Sequence, residues 1–317
     1  MPALFYHSFW HIIGSHVTNA ILSCLNSCKI PESINHTFIT LIPKVSSPQR
    51  MFDFRPISLC NVIYKIMSKV IANRLKPILS KIISETQSAF VPGRLITDNV
   101  LVAFETLHYM KTRCEGRKGF MAIKLDMSKA YDRVEWGYLG QVMRKMGFEE
   151  KWISLIMQCI SSISYSILIN GEPRSSIHPE RGLHQGDPFS PYLFLICAEG
   201  LLAKLKEAEL EGKITGVAIS RGGPKITNLC FADDCLLLCL ANIEECKNIQ
   251  QILQKYEVES GQKLNQDKTT ICFSKNVEED TKNAIQARLY IPKIKEFEKY
   301  LGMPSFVGRN KKLPLAT

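Results

Sequence analysis

The chain has 317 residues, of which 45% are hydrophobic, and 40 Lys and Arg stand against 30 Asp and Glu for a formal charge of +10. Such a length exceeds one domain of ~100–200 residues and can bury a real core, and the charge favours a polyanionic partner such as nucleic acid or an acidic membrane surface. No run reaches the ~18 apolar residues of a membrane-spanning helix, and the opening "MPALFYHSFWHIIG" lacks the basic region of a secretory signal.

Residues 3–28 show helical periodicity; within them His7 and His11, four apart, have no third ligand nearby and read as packing beside Phe9 and Trp10 rather than as a metal pair. "HTFITLIPK" (36–44) predicts a strand ending at Pro43, and "SSPQRMFDFRPIS" (46–58) a polar, proline-bearing loop. From Asn61 to Lys76 one apolar stripe predicts a helix that Pro77 interrupts. "VPGRLITD" reads as a turn, with Asp98 as N-cap of a helix over 99–112. "FMAIKLD" (120–126) has few polar residues, as a buried central strand does. Amphipathic helices follow at 135–146 and 149–162, then a hairpin over 165–177 turning at Asn170-Gly171. A helix covers 190–210, and "ITGVAIS", a "RGGP" turn and "ITNLCFADDCLLLCL" predict three strands. A helix over 243–259 stops at Gly261, and "TTICFS" is a further strand. The alternation of buried strands, hairpins and helices predicts an α+β fold, an antiparallel sheet with helices on one face. The 11 cysteines include no CxxC pair, and Cys24/Cys28 and Cys235/Cys239 complete no zinc set, so they read as buried, reduced thiols of an intracellular protein.

Chemistry gathers at three acids. Asp126 ends a buried strand, and Asp233 and Asp234 sit side by side between apolar runs in "CFADDCLLLC". Charged side chains are seldom buried unless paired or bound to metal. If the strands are neighbours, the carboxylates converge at one sheet edge and cannot all stay ionised without cations. Oxygen-only donors suit Mg²⁺, and a pair of such ions clamps the attacking and leaving oxygens of a phosphoryl displacement. Taken alone, the Asp pair reads equally as a solvated hairpin turn.

The segments "AIKLDMSKAYDRVEW", "RGLHQGDPFSPYLFLICAEGL" and "CFADDCLLL" resemble a reverse transcriptase, in particular those of LINE-type non-LTR retrotransposons of plants. "NHTFITLIPK", "FDFRPISLCNVIYKIMSKVIANRL", "QSAFVPGRLITDNVLVAFETLHYMK", "GQKLNQDKT" and "KYLGMP" extend the resemblance over nearly the whole chain, in the family's order. It implies a right-hand polymerase: fingers-like residues 1–118, a palm over 119–305 interrupted by helices and the hairpin 160–190, and a tail 306–317 in place of a thumb. It implies an RNA-directed DNA polymerase using two Mg²⁺ ions (Mn²⁺ as substitute), an RNA template, a DNA primer and dNTPs.

Residue by residue, the resemblance makes Asp126, Asp233 and Asp234 the metal ligands and Tyr131 the gate that excludes a ribose 2′-hydroxyl. Gln185 and Gly186 would lie against the nucleotide, and Lys44 and Arg55 would hold its triphosphate. Lys268 would protonate the departing pyrophosphate, and Tyr300, Leu301 and Gly302 would grip the primer. The family usually carries sequence ahead of this block, an endonuclease, a thumb and a Cys/His knuckle, so the chain reads as a fragment whose alternative is an inactive remnant, at most a basic nucleic-acid-binding module. A palm-type nucleotide cyclase shares the metal chemistry but needs neither gate nor grip. The family's life cycle implies nuclear localisation.

Overall fold

A computed structural model describes residues 1–113, 116, 118–220, 222–291, 299–301 and 303–304. The chain opens with α1 (Ala3–Ser8), α2 (Trp10–Ser27) and the single turn α3 (Glu32–Asn35), followed by β1 (His36–Pro43), β2 (Phe54–Leu59) and α4 (Val62–Ile82). Next come α5 (Ile96–Thr112), β3 (Phe120–Leu125), α6 (Trp136–Lys145), α7 (Glu150–Ser161) and the hairpin β4 (Ser164–Ile169) and β5 (Glu172–Ile177). After α8 (Ser190–Leu210) come β6 (Asn228–Phe231), β7 (Asp234–Leu240), α9 (Ile243–Ser260), β8 (Thr270–Phe273), α10 (Glu279–Leu289), β9 (Lys299–Tyr300) and β10 (Met303–Pro304). Among the described residues no helix is long and apolar enough to cross a membrane.

The chain forms two compact units, one of residues 1–82, 129–197 and 259–261, the other of 83–128, 198–258 and 262–317. In the first, the sheet order is β2-β1-β4-β5. β1 and β4 run parallel, which no short turn allows and the long crossover between them supplies. Their register is fixed by Asn35, whose buried Nδ2 donates to the Cys159 carbonyl at 3.1 Å and the Ser162 hydroxyl at 2.9 Å. β2 lies where a loop was expected. Pro56 opposite Leu41 misled that reading, but β2 is an edge strand, and an edge tolerates a residue that cannot donate to a ladder.

Two further expectations shift in this unit. The N-terminal helix is broken at Phe9, which puts His7 and His11 in separate helices, both exposed rather than packed. And α4 continues through Pro77. Pro77 costs about 3 kcal/mol in a helix interior, but it lies on the exposed face, as does Asn73, whose carbonyl loses its helical partner at Pro77. Leu75 and Leu79 on the opposite face are fully buried, worth roughly 1.5–3 kcal/mol each.

The second unit is built on the sheet β6-β7-β3-β8, antiparallel throughout. Helices cover both of its faces rather than one. Ala103, Leu107 and Met110 of α5 pack with Phe120, Ala122, Leu236 and Leu238, while Ile123 and Leu125, which point the other way, line a cavity with Leu253 and Glu257 of α9. That explains why β3 reads as a continuous apolar run. Of the three strands expected over 214–240, the first is only the isolated bridge Val217–Ile226. α5 starts at Ile96 with Leu95 as N-cap, and Asp98 sits in its first turn, favourably placed against the helix dipole but not capping it.

Candidate active site

The central acids follow from strand register. β3 and β7 pair Leu125 with Cys235, so the next pair outward sets Asp126 opposite Asp234. Directly opposed side chains lie about 4.5–5.5 Å apart at Cβ, and like charges there repel. β6 and β7 join through the two-residue turn Ala232-Asp233, with Phe231 opposite Asp234. Asp233 therefore sits one residue from the facing pair, in the same unit.

The carboxyls sense one another. Asp233 is held above the ordinary carboxylate range, first by lost solvation and then by repulsion from Asp234 and Asp126. Asp234 is raised by lost solvation and by Asp126, and partly restored by Lys124 on β3. Among the described residues no three His, Cys, Asp or Glu close into a preformed metal cage; the three carboxyls stand as a facing pair with the third acid in the adjoining turn. This donor set still fits Mg²⁺, a hard cation that takes one or two carboxylates and completes its shell with water and substrate phosphate.

The turn is braced from the segment before α5. Cys230 N donates to the Thr86 carbonyl at 2.8 Å and Ser88 N to the Cys230 carbonyl at 3.0 Å. Asn228 Nδ2 reaches Thr86 Oγ1 at 2.7 Å, and Asn99 Nδ2 reaches the Cys230 carbonyl at 2.9 Å. Cys230 and Cys235 oppose each other across the hairpin with their sulfurs brought together. The other described cysteines form no disulfide. Nothing in the sequence spacing marks this pair, because it depends on register.

Lys268 is exposed in the turn before β8. That turn docks beside the acids through Asn265 N, which donates to the Asp126 carbonyl at 2.8 Å. Tyr300 is buried, its hydroxyl donating to Asn99 Oδ1 at 3.1 Å and to the Leu229 carbonyl at 3.3 Å. Burial and Asp234 push that phenol up. A primer contact at this segment would thus come from backbone or from Leu301, which packs half-buried against the same core. Gly302 and the tail 306–317 lie outside the described residues.

The other candidates belong to the first unit. Tyr131 stacks on Phe194, ring centroids 5.1 Å apart and planes 10° apart. The Gln185 carbonyl accepts from Ser58 N at 2.8 Å. Gly186 has φ +112, and a Cβ there would stand 3.0 Å from the Ser58 carbonyl, so glycine is required by the close approach of β2. Next to them the buried Asp187 accepts from the hydroxyls of Ser68 and Ser190, tying this loop to α4 and to the start of α8. Lys44 Nζ donates to the Phe52 carbonyl at 2.9 Å and closes the loop before β2, whereas Arg55 on β2 is exposed and has no ion pair among the described residues. Neither Gln185 nor Gly186 needs a ligand to explain its present contacts.

Comparison with known proteins adds independent weight. The family model for reverse transcriptase (RNA-dependent DNA polymerase) matches residues 42–304. The transposon TX1 149 kDa protein of Xenopus laevis is 27% identical over 84% of the chain, and the R2DM retrotransposable-element polyprotein of Drosophila melanogaster 28% over 90%. A mitochondrial protein of Arabidopsis thaliana is 46% identical, but over only 21% of the chain. The chain spans 20% of the length of the TX1 protein and 26% of the R2DM polyprotein. Telomerase structures from Candida albicans and Candida tropicalis superpose on 82% and 84% of the chain, and on 45% of their own length, with TM-scores of 0.54 and 0.53 at 15% and 12% identity. At that identity the likeness is one of fold.

Proposed function

The chain belongs to the reverse transcriptase (RNA-dependent DNA polymerase) family, and from that premise we propose that it extends a DNA primer along an RNA template by adding deoxynucleotides. The observation that carries the reading is the facing pair Asp126 and Asp234, with Asp233 in the adjoining turn, inside the segment the family model matches. In this reading residues 1–118 are fingers-like and residues 119–305 the palm, whose core is the sheet of the second unit.

Reverse transcriptases generally use divalent metal ions. Two Mg²⁺ ions, or Mn²⁺ in their place, would be held by Asp126, Asp233 and Asp234 and would supply charge neutralisation at the attacking and leaving oxygens. The raised carboxyls support this, because a cation relieves the repulsion that lifts them. Tyr131, fixed flat on Phe194, would bar a ribose 2′-hydroxyl. Gln185 and Gly186 would border the incoming nucleotide, and Arg55 has an uncommitted charge to offer its triphosphate, with Lys44 contributing if it leaves the Phe52 carbonyl. Lys268, exposed beside the Asp126 backbone, would protonate the pyrophosphate. The segment Tyr300, Leu301 and Gly302 would hold the primer end.

An RNA template is further supported by the Candida albicans telomerase, which was solved with a fragment of telomeric RNA. The same reading puts the protein to work inside the cell, in the nucleus. The test is primer extension by the purified chain on an RNA template with dNTPs and Mg²⁺. Extension that stops when the metal is chelated is expected. Binding of primer–template without extension at any Mg²⁺ concentration would leave only a basic nucleic-acid-binding module.

A further inference from the structure

The turn that carries Asp233 has an uncommon conformation for its residues. Ala232 adopts φ +55, a region L-residues seldom occupy, while Asp233 is not left-handed. A two-residue hairpin with a positive φ at its first central position is of the II′ kind, which calls for glycine there. Alanine fills the position instead, so something other than local preference holds it.

The geometry points to Gln87 as a positioning residue that sets this turn and thereby aims the Asp233 carboxylate. The inference rests on the reading of Asp126, Asp233 and Asp234 as metal-holding acids. Gln87 is 1% exposed. Its Oε1 accepts from Ala232 N at 2.9 Å, and its Nε2 donates to the Ala232 carbonyl at 3.3 Å. One side-chain amide therefore satisfies both backbone groups of the residue whose conformation is disfavoured. The same Oε1 also accepts from Ala89 N at 3.1 Å, which fixes the amide's orientation.

Gln87 is itself anchored. Its backbone bridges β6 at Cys230, with Cys230 N and Ser88 N bonding across on either side. Arg94 donates to the carbonyls of Gln87 at 2.6 Å, Ser84 at 2.6 Å and Ile83 at 2.9 Å, gathering the segment around one guanidinium. A flip of the Ala232-Asp233 peptide would swing Asp233 away from its neighbours, and the clamp opposes that flip directly. Asparagine would be too short to reach, and glutamate would keep the acceptor but lose the donor to the carbonyl.

The test compares Gln87→Leu, which keeps the bulk and removes both bonds, with Gln87→Leu combined with Ala232→Gly. Glycine takes positive φ without a clamp. Three readouts are taken: thermal unfolding, exchange of the Ala232 amide, and binding of Mn²⁺ alone followed by its electron spin resonance. Gln87→Leu is expected to speed Ala232 exchange at least tenfold and to weaken Mn²⁺ binding about tenfold. The added Ala232→Gly is expected to restore most Mn²⁺ affinity whatever it does to the melting temperature. A side chain with only a packing role would lower the melting temperature and gain nothing in affinity from glycine. Unchanged exchange in Gln87→Leu, or weakened Mn²⁺ binding that Ala232→Gly leaves weak, overturns the inference. If the unaltered chain binds no Mn²⁺, the metal reading of the acids fails, and accelerated Ala232 exchange still decides whether Gln87 sets the turn.

Discussion

The β4–β5 and β6–β7 hairpins each close through a two-residue turn, and they obtain their shape by opposite means. In β4–β5 the turn is Asn170-Gly171, with φ of +53 and +82, and both residues tolerate the left-handed region. The turn is exposed and a Cβ on Gly171 would meet nothing within 4 Å. In β6–β7 the turn is Ala232-Asp233, whose residues do not favour it, and a buried glutamine from another segment holds it. A turn made of the residues its geometry demands needs no help. One that departs from them needs an external brace, and such departures gather where function constrains the side chains.

The comparison breaks most visibly if the second turn is given the chemistry of the first. Replacing Ala232-Asp233 by Asn-Gly should preserve the hairpin and the melting temperature, yet primer extension should fall by about 10²–10³-fold or more, the loss expected when a preorganised charge-stabilising group is removed. Steady-state extension beside a melting curve checks both halves, and retained activity would reduce Asp233 to turn decoration. Next in size, Tyr131→Val in the unit of the Asn-Gly hairpin should raise ribonucleotide incorporation relative to deoxynucleotide by about tenfold, the low end of what a small change in pocket shape commands. Single-nucleotide kinetics measure it, and an unchanged ratio removes Tyr131 from the gate.

Smaller effects sharpen the contrast. Gly171→Ala has space but the wrong φ, so it should cost about 1 kcal/mol and lower Tm by roughly 2 °C. A loss-free result by calorimetry would mean that this turn, too, is held from outside. Smallest is the effect of Asp233→Asn on stability without divalent cations. The folded carboxyl is raised above its unfolded value, so its favourable contribution is present below the unfolded pKa and is lost as pH rises through the folded one. Near neutral pH the substitution should therefore raise Tm by about 1 °C, and the gain should vanish in acid. Paired melts across pH read it, and a gain that grows on acidification has the wrong sign.

The site's acids were legible because charge stands out in an apolar run. Asp126 closes "FMAIKLD", and Asp233 and Asp234 interrupt "CFADDCLLLC". The Asn170-Gly171 hairpin was legible because its chemistry is local. What escaped depends on partners far along the chain. Gln87 looks like any polar residue in a turn, and its target lies 145 residues away. Pro56 suggested a loop because the sequence does not say which strand will lie at an edge. Pro77 suggested a stop because the exposure of one helix face is settled only by packing. The buried bond of Tyr300 to Asn99 was illegible for the same reason, since it spans 201 residues.

The strand pairings carry a consequence for biosynthesis. β1 waits for β4, with His36 and Ser164 hydrogen-bonded across 128 residues, and β3 waits for β8, with Phe120 and Ser274 bonded across 154. At about 5–20 residues per second of translation, each early strand emerges roughly 6–30 s before its partner exists. Until then β1 and β2 stand without the rest of the sheet they belong to. Contacts this distant in sequence also slow folding after release. A ribosome that stalls before residue 270 leaves β3 with at least one flank bare, so an interrupted transcript should yield an aggregation-prone chain rather than a shorter polymerase.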